Sequence, residues 1–137
     1  MKKKIAIIGS TGSIGKSLLS LLDNEKKNIE ITLLVAKKSY KILLNQAKKF
    51  GVKNLIITDY NIFKIAKKIN KNKSFKIFNN FNHLNKIFPK KIDYAMSSIT
   101  GLAGLEPTIE LIKHTKKIAI ANKESIICGW NLIKREL

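Results

Sequence analysis

The stretch "AIIGSTGSIGKSLLSLL", residues 6–22, decides the fold of this chain. The apolar run Ile5–Ile8 predicts a buried strand over 3–9, and the residues that follow predict an amphipathic helix. Gly9, Gly12 and Gly15 lie three residues apart between the two elements. A helix N-terminus leaves backbone N–H groups without partners and carries the positive end of the helix dipole, so it attracts phosphate. Glycines let the backbone turn tightly and come close to a ligand, so this loop is predicted to hold phosphate groups.

The spacing of the glycines narrows the class of phosphate ligand. It is G-x-x-G-x-x-G and not the G-x-G-x-x-G of many dinucleotide sites. A P-loop would need its first glycine at position 10, which is Ser10, so the P-loop interpretation fails. A glycine turn that only joins a strand to a helix is the structural alternative. The flanking strand and helix favour a dinucleotide.

Strands and helices alternate along the whole chain. Strands are predicted over 3–9, 29–36, 53–59, 73–79, 92–99 and 117–122, and helices over 13–24, 39–51, 60–70, 80–89, 104–115 and 123–137. The strands are apolar nearly throughout, as in a parallel sheet covered on both faces. We therefore expect a single α/β domain over 1–137, a Rossmann-like, doubly wound and mostly parallel sheet with helices on both faces.

The sequence also predicts which residues cap the helices and which face the core. Ser39 and Asp59 are predicted N-caps, Gly51 a helix stop, and Ile14, Leu18, Leu21 and Leu22 the buried stripe of the first helix. Cys128 is the single cysteine, which excludes an internal disulfide and a cysteine-based zinc site. We expect it to be a small buried residue.

The end of the second strand bears on which dinucleotide is bound. NAD sites place an acidic residue there, where it accepts a hydrogen bond from the ribose 2′-hydroxyl. In this chain Lys37, Lys38 and Ser39 occupy the position, in "LLVAKKS". The missing acid and the two cations favour the 2′-phosphate of NADP.

A second polar group follows the fifth and sixth strands, in "MSSITGLAGLEPT" (96–108) and "IANKESIICG" (120–129). Asn122, Lys123 and Glu124 supply an amide, a cation and a carboxylate at a helix start. Taken alone, they are typical of a solvated cap, with Asn122 as N-cap and Glu124 in the first turn.

The charge of the chain raises a nucleic-acid alternative. Lysine and arginine number 27 against 9 acidic residues, a net charge of +18. Arg135 is the one arginine, and the lysines are spread along the whole chain, on nearly every predicted polar face. Both features argue against a specific nucleic-acid site. No apolar run reaches the roughly 18 residues of a membrane span, so we expect a cytoplasmic protein with no membrane partner.

Four segments together resemble the N-terminal domain of the 1-deoxy-D-xylulose 5-phosphate reductoisomerase family: "GSTGSIG", "VAKKS", "ITGLAGLEPT" and "ANKESIICG". The resemblance covers essentially all 137 residues in order. It implies an oxidoreductase of isoprene biosynthesis by the non-mevalonate route. With NADPH and Mg²⁺ or Mn²⁺ (manganese), such an enzyme rearranges and reduces 1-deoxy-D-xylulose 5-phosphate to 2-C-methyl-D-erythritol 4-phosphate.

The resemblance also implies roles for individual residues. It places Thr11, Gly12, Ser13 and Ile14 at the NADPH pyrophosphate, Lys37, Lys38 and Ser39 around the 2′-phosphate, Asn122 and Glu124 nearer the nicotinamide, and Lys123 at the sugar-phosphate substrate. The family commonly has glycine where Lys37 stands and asparagine where Ser39 stands.

The metal and catalytic residues of the family are not found in this sequence. A divalent cation needs clustered carboxylates, and the three aspartates and six glutamates are not paired. The family's acidic motif, substrate loop and homodimer region lie beyond the helix that begins at Lys123. We expect a truncated product, either a fragment or a decayed reading frame, that binds cofactor without turnover. The alternatives are a stand-alone NADP-binding module and a basic nucleic-acid-associating protein.

Overall fold

Six strands alternate with six helices in the computed structural model, which describes residues 1–137. The strands are β1 (Lys3–Ile8), β2 (Ile29–Ala36), β3 (Asn54–Ile57), β4 (Lys76–Phe78), β5 (Tyr94–Ser97) and β6 (Ile118–Ile120). The helices are α1 (Ser13–Leu22), α2 (Tyr40–Phe50), α3 (Tyr60–Ile69), α4 (Leu84–Ile87), α5 (Leu105–Ile112) and α6 (Lys123–Glu136). Short 3-10 turns follow α1 and precede α5. Each predicted element is present, most of them shorter than predicted.

The sheet has the strand order β4-β3-β2-β1-β5-β6, and every neighbouring pair is parallel. The chain builds outward from β1 to β4 and then returns to add β5 and β6 on the other side of β1. The direction of winding therefore reverses between β1 and β5. Open α/β sheets bind ligands outside the carboxyl ends of the strands at such a reversal. The doubly wound prediction is confirmed.

Both faces of the sheet are buried, which explains the continuous apolar strands. In β1, Ile5 and Ile7 lie in a core formed with α1, α2 and α3. Ala6 and Ile8 lie in a second core, formed with α4 and α5. Each fully buried isoleucine stabilises the fold by roughly 1.5–3 kcal/mol relative to an exposed one. A charged side chain at any of these positions could not reach water on either face of the sheet.

Two of the predicted caps are formed, and the third lacks its side-chain bond. Gly51 ends α2 in the left-handed conformation, with φ +67°. Asp59 Oδ1 accepts a hydrogen bond of 3.0 Å from the Ile62 N–H at the start of α3. Ser39 lies at the N-cap position of α2, as predicted, but its side chain makes no cap hydrogen bond.

The predicted stripe of α1 is confirmed in part, because Leu18 and Leu22 pack against the first core. Gly15 and Leu19 are the buried residues of α1, while Ile14 and Leu21 are exposed. Residues four apart lie on one helix face, and here that face begins with a glycine, which a search for apolar side chains overlooks.

Cys128 is exposed, contrary to the prediction. The buried face of α6 carries Ser125, Gly129 and Ile133, each four residues from the next. Cys128 precedes Gly129 and falls off this face. None of the helices combines the length and apolar character needed to cross a membrane.

Candidate functional site

A cavity of about 660 Å³ opens at the carboxyl edge of the sheet, where the winding reverses. Its walls come from the ends of β1, β2, β3 and β5 and from the loop before α5. They are formed by Gly9, Thr11, Gly12, Ser13, Ile14, Val35, Ala36, Lys37, Thr58, Ser98, Ile99, Thr100, Ala103 and Pro107. The predicted loop residues and Lys37 are thus brought together in one cavity.

The loop after β1 is held by backbone hydrogen bonds that leave several donors free. The N–H groups of Gly9 and Ser10 donate to Val35 O at 2.9 and 3.1 Å, and Gly12 N–H donates to Gly9 O at 3.2 Å. The N–H groups of Thr11, Ser13 and Ile14 have no backbone acceptor, as expected at the start of a helix. Free N–H groups and the dipole of α1 at the cavity wall form an arrangement suited to a phosphate.

The three glycines of the loop have different roles. Gly9 has φ +82°, and a Cβ there would lie 2.8 Å from the Ser98 carbonyl carbon. A Cβ at Gly15 would lie 2.6 Å from Ser10 Cα. Gly12 is exposed, and its Cβ would meet nothing closer than Gly9 O at 3.5 Å. The fold therefore requires glycine at positions 9 and 15, whereas glycine at 12 keeps space free in the cavity.

The end of β2 presents the predicted cations unequally. Lys37 lines the cavity, and no carboxylate does. Lys38 Nζ lies 3.8 Å from Asp59 Oδ2, at the start of α3. Ser39 is exposed and lies outside the cavity wall. Lys37 is the cation best placed to meet an anionic ligand there.

Asn122 lies behind the cavity wall. Its side chain is 3% exposed, and Nδ2 donates to Ile99 O at 2.5 Å and to Gly101 O at 2.6 Å. Its Oδ1 accepts from Ser125 N–H at 3.1 Å, so the predicted cap is confirmed. With both amide hydrogens in use, the Asn122 side chain holds the loop whose residue Ile99 lines the cavity.

The other two residues of this group are also outside the wall. Lys123 is exposed in the first turn of α6, and Glu124 is half-buried beside it. Neither lines the cavity. None of the residues 122–124 lines this cavity, although Asn122 is bonded to the Ile99 loop that does.

Several polar residues of this region were not singled out by the sequence analysis, among them Thr58, Ser98 and Gln46. Thr58 lines the cavity at the end of β3. Ser98 Oγ donates to Ile8 O at 2.9 Å and joins β5 to the start of the phosphate loop. Gln46 of α2 bonds to Ser10. Gln46 could have been noticed, because it lies three residues after buried Leu43 and beside buried Ala47 on an otherwise apolar face.

The carboxylates do not form a metal site. No group of three or more His, Cys, Asp or Glu side chains is close enough to hold a metal ion. The Lys26 and Lys49 ammonium groups hold the pKa of Asp23 below its usual value. The pKa of Asp93 is also held below its usual value, by hydrogen bonds from the Lys4 backbone N–H and the Lys116 side chain. These carboxylates neutralise lysines, and the residues present do not fit a divalent cation.

Comparisons with known proteins point to a single family. The family model described as 1-deoxy-D-xylulose 5-phosphate reductoisomerase matches residues 5–129. A protein of that name from Pelagibacter ubique is 61% identical, over 98% of this chain and 35% of its own length.

Solved structures of the same kind have the same fold. The reductoisomerase from Zymomonas mobilis in complex with NADPH matches with a TM-score of 0.88 and 28% identity, over 99% of this chain and 36% of its own. A reductoisomerase structure in complex with magnesium matches with a TM-score of 0.85 at 24% identity, over 99% of this chain and 34% of its own, which shows the fold alone. The chain spans about a third of the length of these relatives. It belongs to the 1-deoxy-D-xylulose 5-phosphate reductoisomerase family.

Proposed function

We propose that this chain binds NADPH in the carboxyl-edge cavity, as the cofactor-binding part of a 1-deoxy-D-xylulose 5-phosphate reductoisomerase. The observation that carries the proposal is the free N–H groups of Thr11, Ser13 and Ile14 at the wall of a cavity of about 660 Å³. The Zymomonas mobilis relative, which matches over 99% of this chain, is a complex with NADPH.

The residues present fit the cofactor. Gly12 leaves open the space that a Cβ would fill, next to the N–H groups that would bind the diphosphate. Lys37 would meet the 2′-phosphate, with Lys38 and Ser39 on the adjoining surface. Asn122 would act through the loop it holds, and Glu124 and Lys123 would lie on the nicotinamide and substrate side. When bound, NADPH supplies the hydride that reduces the rearranged substrate.

The wider activity of the family is part of the proposal. The proposed substrate is the sugar phosphate 1-deoxy-D-xylulose 5-phosphate. The proposed assembly is a cytoplasmic homodimer, and no specific nucleic-acid partner is proposed. The domain over 1–137 supplies the cofactor site, and the divalent cation needs ligands from elsewhere, because no such cluster exists here. This chain by itself should bind cofactor and should not turn over substrate.

Titration of the purified chain with NADPH and with NADH, followed by cofactor fluorescence or by the thermal shift, tests the proposal. We expect saturable binding of NADPH and at least tenfold weaker binding of NADH. Absence of NADPH binding, or equal binding of the two, would contradict it. Oxidation of NADPH with substrate and Mn²⁺ by this chain alone would contradict the expected lack of turnover.

Association with polyanions is a second candidate, favoured by one observation. A cavity of about 410 Å³ lies beside the start of β1, at the amino edge of the sheet, and six of its lining residues are lysines. Basic charge of this kind gives salt-dependent binding without sequence preference. Binding of a random DNA duplex that disappears at moderate salt, together with no NADPH binding, would support this candidate instead.

A further inference from the structure

Gln46 of α2 is joined to the phosphate loop by two reciprocal hydrogen bonds. Ser10 Oγ donates to Gln46 Oε1 at 2.8 Å, and Gln46 Nε2 donates to Ser10 O at 2.9 Å. Ser10 is fully buried and Gln46 is half-buried. The two residues are 36 positions apart, so these bonds tie the loop to a helix that forms no part of the cavity wall.

These bonds complete the fixation of Ser10. The Ser10 N–H donates to Val35 O of β2 at 3.1 Å. The sheet offers no partner to the Ser10 hydroxyl or to the Ser10 carbonyl, and Gln46 bonds to both. A buried carbonyl that loses its only donor is left unsatisfied, which is costly. In the observed arrangement every polar group of Ser10 is therefore paired.

The carbonyl bond also orients the next N–H group. The peptide between Ser10 and Thr11 is planar and trans, so its C=O and N–H point in opposite directions. Gln46 Nε2 holds the C=O on the α2 side, and the Thr11 N–H must point away from α2. Thr11 lines the cavity, and its N–H has no backbone acceptor.

We propose that Gln46 is a positioning residue for the cofactor diphosphate, holding the Ser10–Thr11 peptide so that the Thr11 N–H meets a phosphate oxygen. The inference rests on the proposed function. If the Ser10–Thr11 peptide rotated, the Ser10 carbonyl oxygen would face the diphosphate in place of the Thr11 N–H. The diphosphate would then lose a hydrogen-bond donor and meet the negative end of the peptide dipole. Loss of one bond between an N–H and a charged group corresponds to roughly tenfold to hundredfold in affinity.

Gln46→Met tests this, because methionine has a similar volume and makes neither hydrogen bond. Gln46→Glu is the second variant, since it keeps an acceptor for Ser10 Oγ and loses the donor to Ser10 O. The matched control is Asn45→Ala, at the exposed neighbouring position of α2. Each variant is titrated with NADPH and with adenosine 2′-monophosphate, which carries the 2′-phosphate but lacks the diphosphate.

We expect both Gln46 variants to bind NADPH at least tenfold more weakly, with adenosine 2′-monophosphate binding unchanged and Asn45→Ala like the parent. A variant that binds NADPH within twofold of the parent, or that weakens both ligands equally, overturns the inference. If the parent itself binds no NADPH, the proposed function fails. A measurement without a variant is the Thr11 amide resonance of the parent, which should shift with NADPH and not with adenosine 2′-monophosphate; equal shifts overturn the inference.

Discussion

The carbonyl oxygen of Gly9 occupies the space that a Cβ of Gly15 would need. The first turn of α1 therefore lies directly against the strand-to-helix loop, with no side chain between them. Gly12, between these two residues in sequence, has no comparable contact. One motif thus contains two glycines required for packing and one that keeps the cavity open.

Gly15→Ala should destabilise the chain, because the new Cβ collides with loop backbone that cannot move aside cheaply. Overpacking of this kind costs roughly 1–3 kcal/mol in the free energy of unfolding. Gly12→Ala should leave that free energy nearly unchanged and weaken NADPH binding at least tenfold. Urea unfolding and NADPH titration of both variants check this. A Gly12→Ala chain with parental affinity would contradict the assignment of Gly12 to the ligand.

Asn122→Ala should lower the free energy of unfolding by about 2–4 kcal/mol, because it removes a helix cap and two donors to partly buried carbonyls. Asp59→Ala is the matched control. Asp59 caps α3 and holds no comparable loop, so the expected loss is about 1 kcal/mol. Denaturant unfolding of the two variants measures the difference. Equal losses would mean that the bonds from Asn122 to Ile99 and Gly101 contribute nothing.

Lys37→Ala should weaken NADPH binding by roughly threefold to tenfold and leave NADH binding unchanged, because Lys37 is the only cation of the cavity wall. The effect should shrink as salt is added, since the lysine is exposed. Lys71→Ala is the control for loss of charge, because Lys71 follows α3 at the opposite edge of the sheet. An equal effect of the two substitutions would indicate general attraction of the anion.

The thermal stability should fall as the pH is lowered below about 6.5, the usual pKa of histidine. Burial lowers the pKa of His114, which is packed near the Phe88 ring. The unfolded chain therefore binds a proton at a higher pH than the folded chain does, and stability rises with pH through this window. Melting temperatures between about pH 7.5 and pH 5.5 should depend less on pH in His114→Gln than in the parent. An unchanged slope would contradict the assignment to His114.

Millimolar Mg²⁺ or Mn²⁺ should leave the melting temperature of this chain unchanged, because no cluster of ligands is available to hold the ion. A chelator should likewise have no effect. Thermal melts with and without each ion provide the measurement. A clear upward shift with either ion would show a site that the carboxylate positions do not reveal.

The order of elements and the location of the loop could be predicted because both depend on local pattern. Apolar runs such as 3–9 and the glycines that follow identify a strand, a turn and a helix without knowledge of the rest of the chain. The lengths could not be predicted as well. The helix predicted over 80–89 has only Leu84–Ile87 in helical conformation. The strand predicted over 73–79 is shortened to Lys76–Phe78 at the edge of the sheet, where it has a neighbouring strand on one side only.

Roles that depend on tertiary contacts could not be predicted. The sequence does not reveal that Gln46 meets Ser10 across 36 residues, or that Asn122 uses both of its amide hydrogens inside the protein. It likewise does not separate Gly12 from Gly15, because the difference lies in which backbone atoms face each one. Motif spacing locates a site, and the packing around it decides what each residue does.

The amide of Asn122 has a mechanical consequence for the cavity wall. A ligand that presses on Ile99 moves a carbonyl to which the first residue before α6 is bonded, and Lys123 is the next residue. A displacement of Ile99 would therefore be passed to the first turn of α6. The cavity wall and the start of this helix are mechanically coupled through one buried side chain.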